Sequence, residues 1–204
     1  MALKHVSLVA AYDYCQSRTD GGKLFTAILD VFINFLLVYC DMCSAVSLWS
    51  QTNPKDPGKE QSVLDSVEVF FGKMDCHRYN SSFVLRYRAL WDKLMGLLVL
   101  MYVPAQYERF SSASSRKKTF FKIVRESSLL TEDNAGNLIK LLEGFDNEFR
   151  TPEAHGTGAL RKWSFNMVPM QENPSIKLLG YWNVVNDTMS RLGKSFVAGS
   201  SKSV

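Results

Sequence analysis

Arg150-Thr-Pro-Glu-Ala-His155 brings together an arginine and a histidine five positions apart, the pair in this 204-residue chain best suited to do chemistry. Thr151 is a fair N-cap and Pro152 fits the first helical position, so the spacing predicts a helix ending at Arg150 and a new one beginning at Thr151, with His155 in its first turn. On one continuous helix, residues five apart point about 140° away from each other. A break between them would let both side chains aim at one spot. That spot would face unpaired backbone N–H groups and the positive end of a helix dipole, the usual setting for a bound phosphate. His155 could then take the proton of an RNA 2′-hydroxyl, and Arg150 could stabilise the charge that builds on the phosphorus oxygens, with no metal needed. Thr151 would cap the helix, and Glu153 would orient the arginine or histidine. The competing reading is structural: Arg150 pairs with Glu153 or Glu148, and His155 packs at a helix start.

Two basic clusters could grip a phosphate backbone. Arg161-Lys162-Trp163 offers two cations and a ring to stack on a base. Arg116, Lys117 and Lys118, followed by Lys122 and Arg125, open a stretch that a simple amphipathic helix explains equally well. Cys40, Cys43, Cys76 and His77 are zinc-type ligands. However, the first pair lies within a strongly periodic segment and no second spaced pair exists, so neither metal nor cofactor is expected. Asp30 and Asn34 could make a buried polar contact with Arg86 or Arg88.

The elements that must position these residues are helices. Leu24, Ile28, Val31, Phe35, Val38, Met42, Ala45 and Trp49 step by three and four, giving one long helix. Val63, Val67, Phe70 and Met74 predict another, and Phe83, Tyr87, Leu90, Leu94, Leu97 and Met101 predict a separate one. Leu138, Leu142, Phe145 and Phe149 mark a shorter helix; Leu178, Trp182, Val185, Met189, Leu192 and Phe196 mark the last. No period-two alternation appears. The reading is an all-α antiparallel bundle of about five to seven helices, with residues 1–198 as a single domain and 199–204 as a flexible tail.

Composition sets the outer bounds. Apolar residues at 46% and charged residues at 22% match a folding chain and exclude disordered and fibrous classes. The net charge of +4 permits a polyanionic partner without demanding one. The longest uncharged run, from Leu94 to Tyr107, contains Pro104 and is shorter than the roughly 20 apolar residues of a membrane span. The expectation is a cytoplasmic protein with reduced thiols and no membrane contact.

The Arg-x4-His motif at a helix junction resembles that of the HEPN superfamily, helical prokaryotic proteins of which many are metal-independent ribonucleases. Leu85-Arg-Tyr-Arg-Ala-Leu-Trp-Asp-Lys-Leu94 is similar to a helix of some large HEPN-like families, so the resemblance covers roughly residues 83–163. It implies a homodimer whose Arg/His pairs face a shared cleft and cut RNA to a 2′,3′-cyclic phosphate, as a toxin or phage-defence effector with an antitoxin or regulatory protein as partner. Active members usually carry Asn, Asp or His directly after the arginine, where this chain has Thr151. The alternative is therefore a catalytically inactive helical module that dimerises and binds protein or nucleic acid.

Overall fold

In the computed structural model, residues 8–52, 63–155 and 175–200 are described. They form α1 (Leu8–Gln16), α2 (Gly21–Thr52), α3 (Val63–Tyr102), a 3-10 turn (Pro104–Gln106), α4 (Tyr107–Ser111), α5 (Arg116–Ser127), α6 (Glu132–Phe145), a π-helical turn (Asp146–Arg150), α7 (Thr151–Ala154) and α8 (Ser175–Ser200). No strand occurs among the described residues. The all-α reading is correct, and the helices pack antiparallel. The first two residues of the tail expected at 199–204 belong to α8, which runs to Ser200; residues 201–204 lie outside the described residues.

The chain divides into two compact units, one of residues 1–35, 89–138 and 182–204, the other of residues 36–88 and 139–181. In the first, α2 and α3 are tied by an ion pair between Asp30 and Lys93. Phe35 of α2 stacks on Trp182 of α8, ring centroids 4.7 Å apart. Arg18, in the turn between α1 and α2, grips Asp20 through Nε at 2.9 Å and Nη2 at 3.3 Å, and donates from Nη1 to the Met101 carbonyl at the end of α3. That turn is tight. A Cβ on Gly21 would sit 2.1 Å from the Cys15 carbonyl oxygen, so only glycine fits there.

In the second unit, Ser82 donates to Asp41 at 2.8 Å, and the Cys76 thiol donates to the Ala45 carbonyl at 3.5 Å. As the α2 position advances from 41 to 45 the α3 partner falls from 82 to 76, the signature of antiparallel neighbours. Phe145, Phe149 and Tyr181 form an edge-to-face cluster that Tyr87 joins, its hydroxyl donating to the Tyr181 carbonyl at 3.0 Å.

Two sequence expectations need correction. Val63–Met74 and Phe83–Met101 are not separate helices, because residues 75–82 continue the same helix. The apolar face of its first half is also misassigned: Val67 and Phe70 are exposed, whereas Lys73, Cys76 and Asn80 are buried. The uncharged-run criterion also missed α2, whose Gly21–Leu48 stretch contains an 18-residue window of mean hydropathy 1.8 and is long and apolar enough to cross a membrane. Its seam from Leu24 to Ala45 is buried against protein.

Candidate active site

Arg150, Thr151, Glu153 and His155 lie on one run of helix in the second unit, but the helix break expected between Arg150 and Thr151 does not exist. Arg150 (φ −62°, ψ −50°) and Thr151 (φ −67°, ψ −49°) are both helical. The Thr151 N–H bonds to the Asp146 carbonyl, five residues back, closing a π turn. Pro152 explains why the turn widens here. In a regular α-helix its ring would strike the Glu148 carbonyl and it offers no N–H, a conflict that a wider turn relieves. Phe145, just before the irregularity, and Phe149, within it, both stay buried.

The consequences for the pair are specific. Thr151 is an interior helical residue, not an N-cap, and α7 has no side-chain cap at its start. His155 occupies the C-cap (φ −92°, ψ 4°), with its N–H bonded to the Thr151 carbonyl at 3.1 Å. It therefore sits at the carbonyl end of α7, so α7 offers it no cradle of free N–H groups among the described residues. Thr151 to Ala154 is α-helical, so Arg150 and His155 point about 140° apart within one chain. Both are exposed, and no hydrogen bond or ion pair joins them among the described residues.

Arg150 pairs with neither Glu148 nor Glu153. Its Nη1 lies 3.5 Å from Asp146 Oδ1, and the same oxygen lies 3.5 Å from Nε of Arg88, which is buried. One carboxylate thus serves an inner and an outer arginine. Sequence reasoning missed Asp146 because its partner Arg88 lies on another helix. Glu148 takes an ion pair from Lys177 at 2.8 Å and a hydrogen bond from the Tyr181 hydroxyl at 3.3 Å. Burial and the neighbouring Glu148 carboxylate push the Tyr181 hydroxyl's pKa up, so it remains a donor.

The remaining candidates fall elsewhere. Arg116, Lys117 and Lys118 open α5 in the first unit, where Arg116 and Lys118 are exposed and Lys117 is half-buried. Phe120, Phe121, Ile123 and Val124 supply that helix's buried side, as the amphipathic reading requires. Arg161, Lys162 and Trp163 lie outside the described residues. Cys40 and Cys43 are exposed on α2 and Cys76 is buried on α3; no group of three or more metal-type side chains occurs among the described residues. Asp30 reaches Lys93 instead of Arg86 or Arg88, and accepts from Asn34; Arg86 pairs instead with Asp41 at 3.5 Å.

The fold and site define an all-α protein with an exposed Arg/His pair beside a π turn. No protein-family model, curated protein or solved structure matches the chain.

Proposed function

We propose that the protein is a metal-independent endoribonuclease in which Arg150 and His155 are the reacting pair. The observation that carries this is their joint exposure on the helical run that leaves a π turn, an irregularity that is costly in a helix and is frequent at functional sites. His155 Nε2 or Nδ1 accepts the 2′-hydroxyl proton as that oxygen attacks phosphorus. The 5′-oxygen of the next nucleotide leaves and takes a proton from water, the resulting hydroxide being neutralised by the proton held on His155, and the products are a 2′,3′-cyclic phosphate and a 5′-hydroxyl. Arg150 neutralises the charge that develops on the non-bridging oxygens. Because the two side chains diverge within one chain, the working pair in this reading combines Arg150 of one copy with His155 of the other, in a homodimer related by a two-fold axis.

A second reading rests on the Arg150–Asp146–Arg88 arrangement, in which the outer arginine serves the fold and the chain is a silent binding module. Incubating wild type, Arg150→Ala and His155→Ala with total RNA in EDTA separates the two. The nuclease reading expects cleavage by wild type alone, leaving cyclic phosphate ends. Intact RNA with all three proteins folded supports the silent module.

A further inference from the structure

The first unit holds a cavity of about 480 Å³ between the start of α2, the end of α3, α4 and the first residue of α5. Its walls carry three cations, Lys23, Lys93 and Arg116, against two carboxylates, Asp30 and Asp92. Lys93 is held by Asp30. Lys23 is held by Glu108 at 2.9 Å and lies over the Tyr107 ring, 4.5 Å from its centroid. Arg116 is exposed and makes no ion pair among the described residues.

The backbone beside Arg116 adds positive potential at that corner of the cavity. α5 opens on Arg116-Lys117-Lys118 with no acidic residue in its first turn and no side-chain cap from Ser115. Its first intrahelical bond of the i→i−4 type is donated by Thr119, to the Ser115 carbonyl. Three cations at the positive end of a helix are an unfavourable arrangement that a bound anion would relieve.

The same lining also asks for hydroxyl groups. Thr26 Oγ1 donates to the Gly22 carbonyl at 3.0 Å and Ser111 Oγ to the Glu108 carbonyl at 3.2 Å, so both hydroxyl protons are spent and each oxygen is left to accept. With Asp92 these make a set of acceptors facing the same space as the cations. The volume lies in the lower half of the roughly 300–1,000 Å³ typical of small-molecule sites.

We infer that this cavity binds a small phosphomonoester bearing free hydroxyls, either a sugar phosphate or a nucleoside monophosphate, with the phosphate on Arg116 and the hydroxyls on Thr26, Ser111 and Asp92. The site lies in the other unit from the Arg/His pair and stands whether or not that pair cuts RNA. Calorimetric titration of the full chain with ribose 5-phosphate, AMP, ribose and inorganic phosphate tests it. The expected result is saturable binding of at least one of the first two, with ribose and phosphate about tenfold weaker or worse. Arg116→Ala should weaken that binding by about tenfold, and Lys194→Ala, on the exposed side of α8, should leave it unchanged. Tighter binding of AMP than of ribose 5-phosphate identifies a nucleotide site; equal or weaker binding identifies a sugar-phosphate site. No saturable binding up to about 5 mM, phosphate alone binding as well as the esters, or an unchanged affinity in Arg116→Ala would overturn the inference.

Discussion

Asp146 faces two arginines at once, and the burial of each separates their weight in the fold. Arg88 is 6% exposed, so losing the Asp146 carboxylate removes a counter-charge from a buried guanidinium; Arg150, about half exposed, loses little when its pair is broken. Asp146→Ala is therefore expected to cost about 3 kcal/mol in urea unfolding, and Arg150→Ala less than about 1 kcal/mol. An Arg150→Ala protein as unstable as Asp146→Ala would assign the outer arginine to the fold. Asp20 makes a second prediction. The Arg18 guanidinium holds its carboxyl below the usual carboxylate range, through a forked hydrogen bond in a site about a quarter exposed. A depressed folded pKa means stability that is fully present above the unfolded value of about 3.9 and is lost as pH falls through the folded value. Asp20→Asn should thus be less stable than wild type by about 1 kcal/mol at pH 7, with the gap closing towards pH 2. A gap that persists in acid would show that the carboxylate charge is not what matters.

Among the helices, the end of α5 carries the one described non-glycine residue with positive φ, Ser128 at φ 53° and ψ 30°. A left-handed residue closing a helix is the position glycine fills without a Cβ penalty. Ser128→Gly is expected to raise the stability by about 0.5–1 kcal/mol, read as a higher urea midpoint at unchanged slope. A lower midpoint would mean that glycine's greater unfolded-state freedom outweighs the relieved strain. The same scale explains what the sequence revealed. The seams of α2, from Leu24 to Ala45, of the second half of α3, from Phe83 to Met101, and of α8, from Leu178 to Phe196, are buried at every described position named for them. Apolar residues at helical spacing left few alternatives there. The first half of α3 was illegible because Lys73 and Asn80 occupy its buried face, and polar residue types carry no hydrophobic period. α1 escaped notice because it buries only Ala11 and Cys15. At the candidate site, Thr151-Pro152 reads locally as a helix start; the aromatic packing of Phe145 and Phe149 around Tyr181 and the five-residue bond from Thr151 to Asp146 keep the helix going instead. A helix start and a π turn before proline share the same local residues, so only tertiary contacts distinguish them.

For the molecule as a whole, the divergence of Arg150 and His155 turns the nuclease proposal into a statement about assembly. If each reacting pair takes its arginine from one copy and its histidine from the other, Arg150→Ala and His155→Ala chains are each inactive as homodimers. A mixed dimer rebuilds one site from the intact arginine of one chain and the intact histidine of the other, and leaves the second site with neither. Random exchange makes half of the dimers mixed, so an equimolar mixture should recover about a quarter of the wild-type rate. The test is to co-refold the two variants, confirm dimers by light scattering, and follow cyclic phosphate ends in EDTA. A mixture as inactive as its components, beside an active wild type, would require both side chains from one chain, and so a movement of α7 that brings them together. Activity in either variant alone would remove that residue from the chemistry. Recovery near a quarter would fix the dimer as the catalytic unit, and the specific activity of wild type should then fall on dilution below the dimer dissociation constant, as mass action requires.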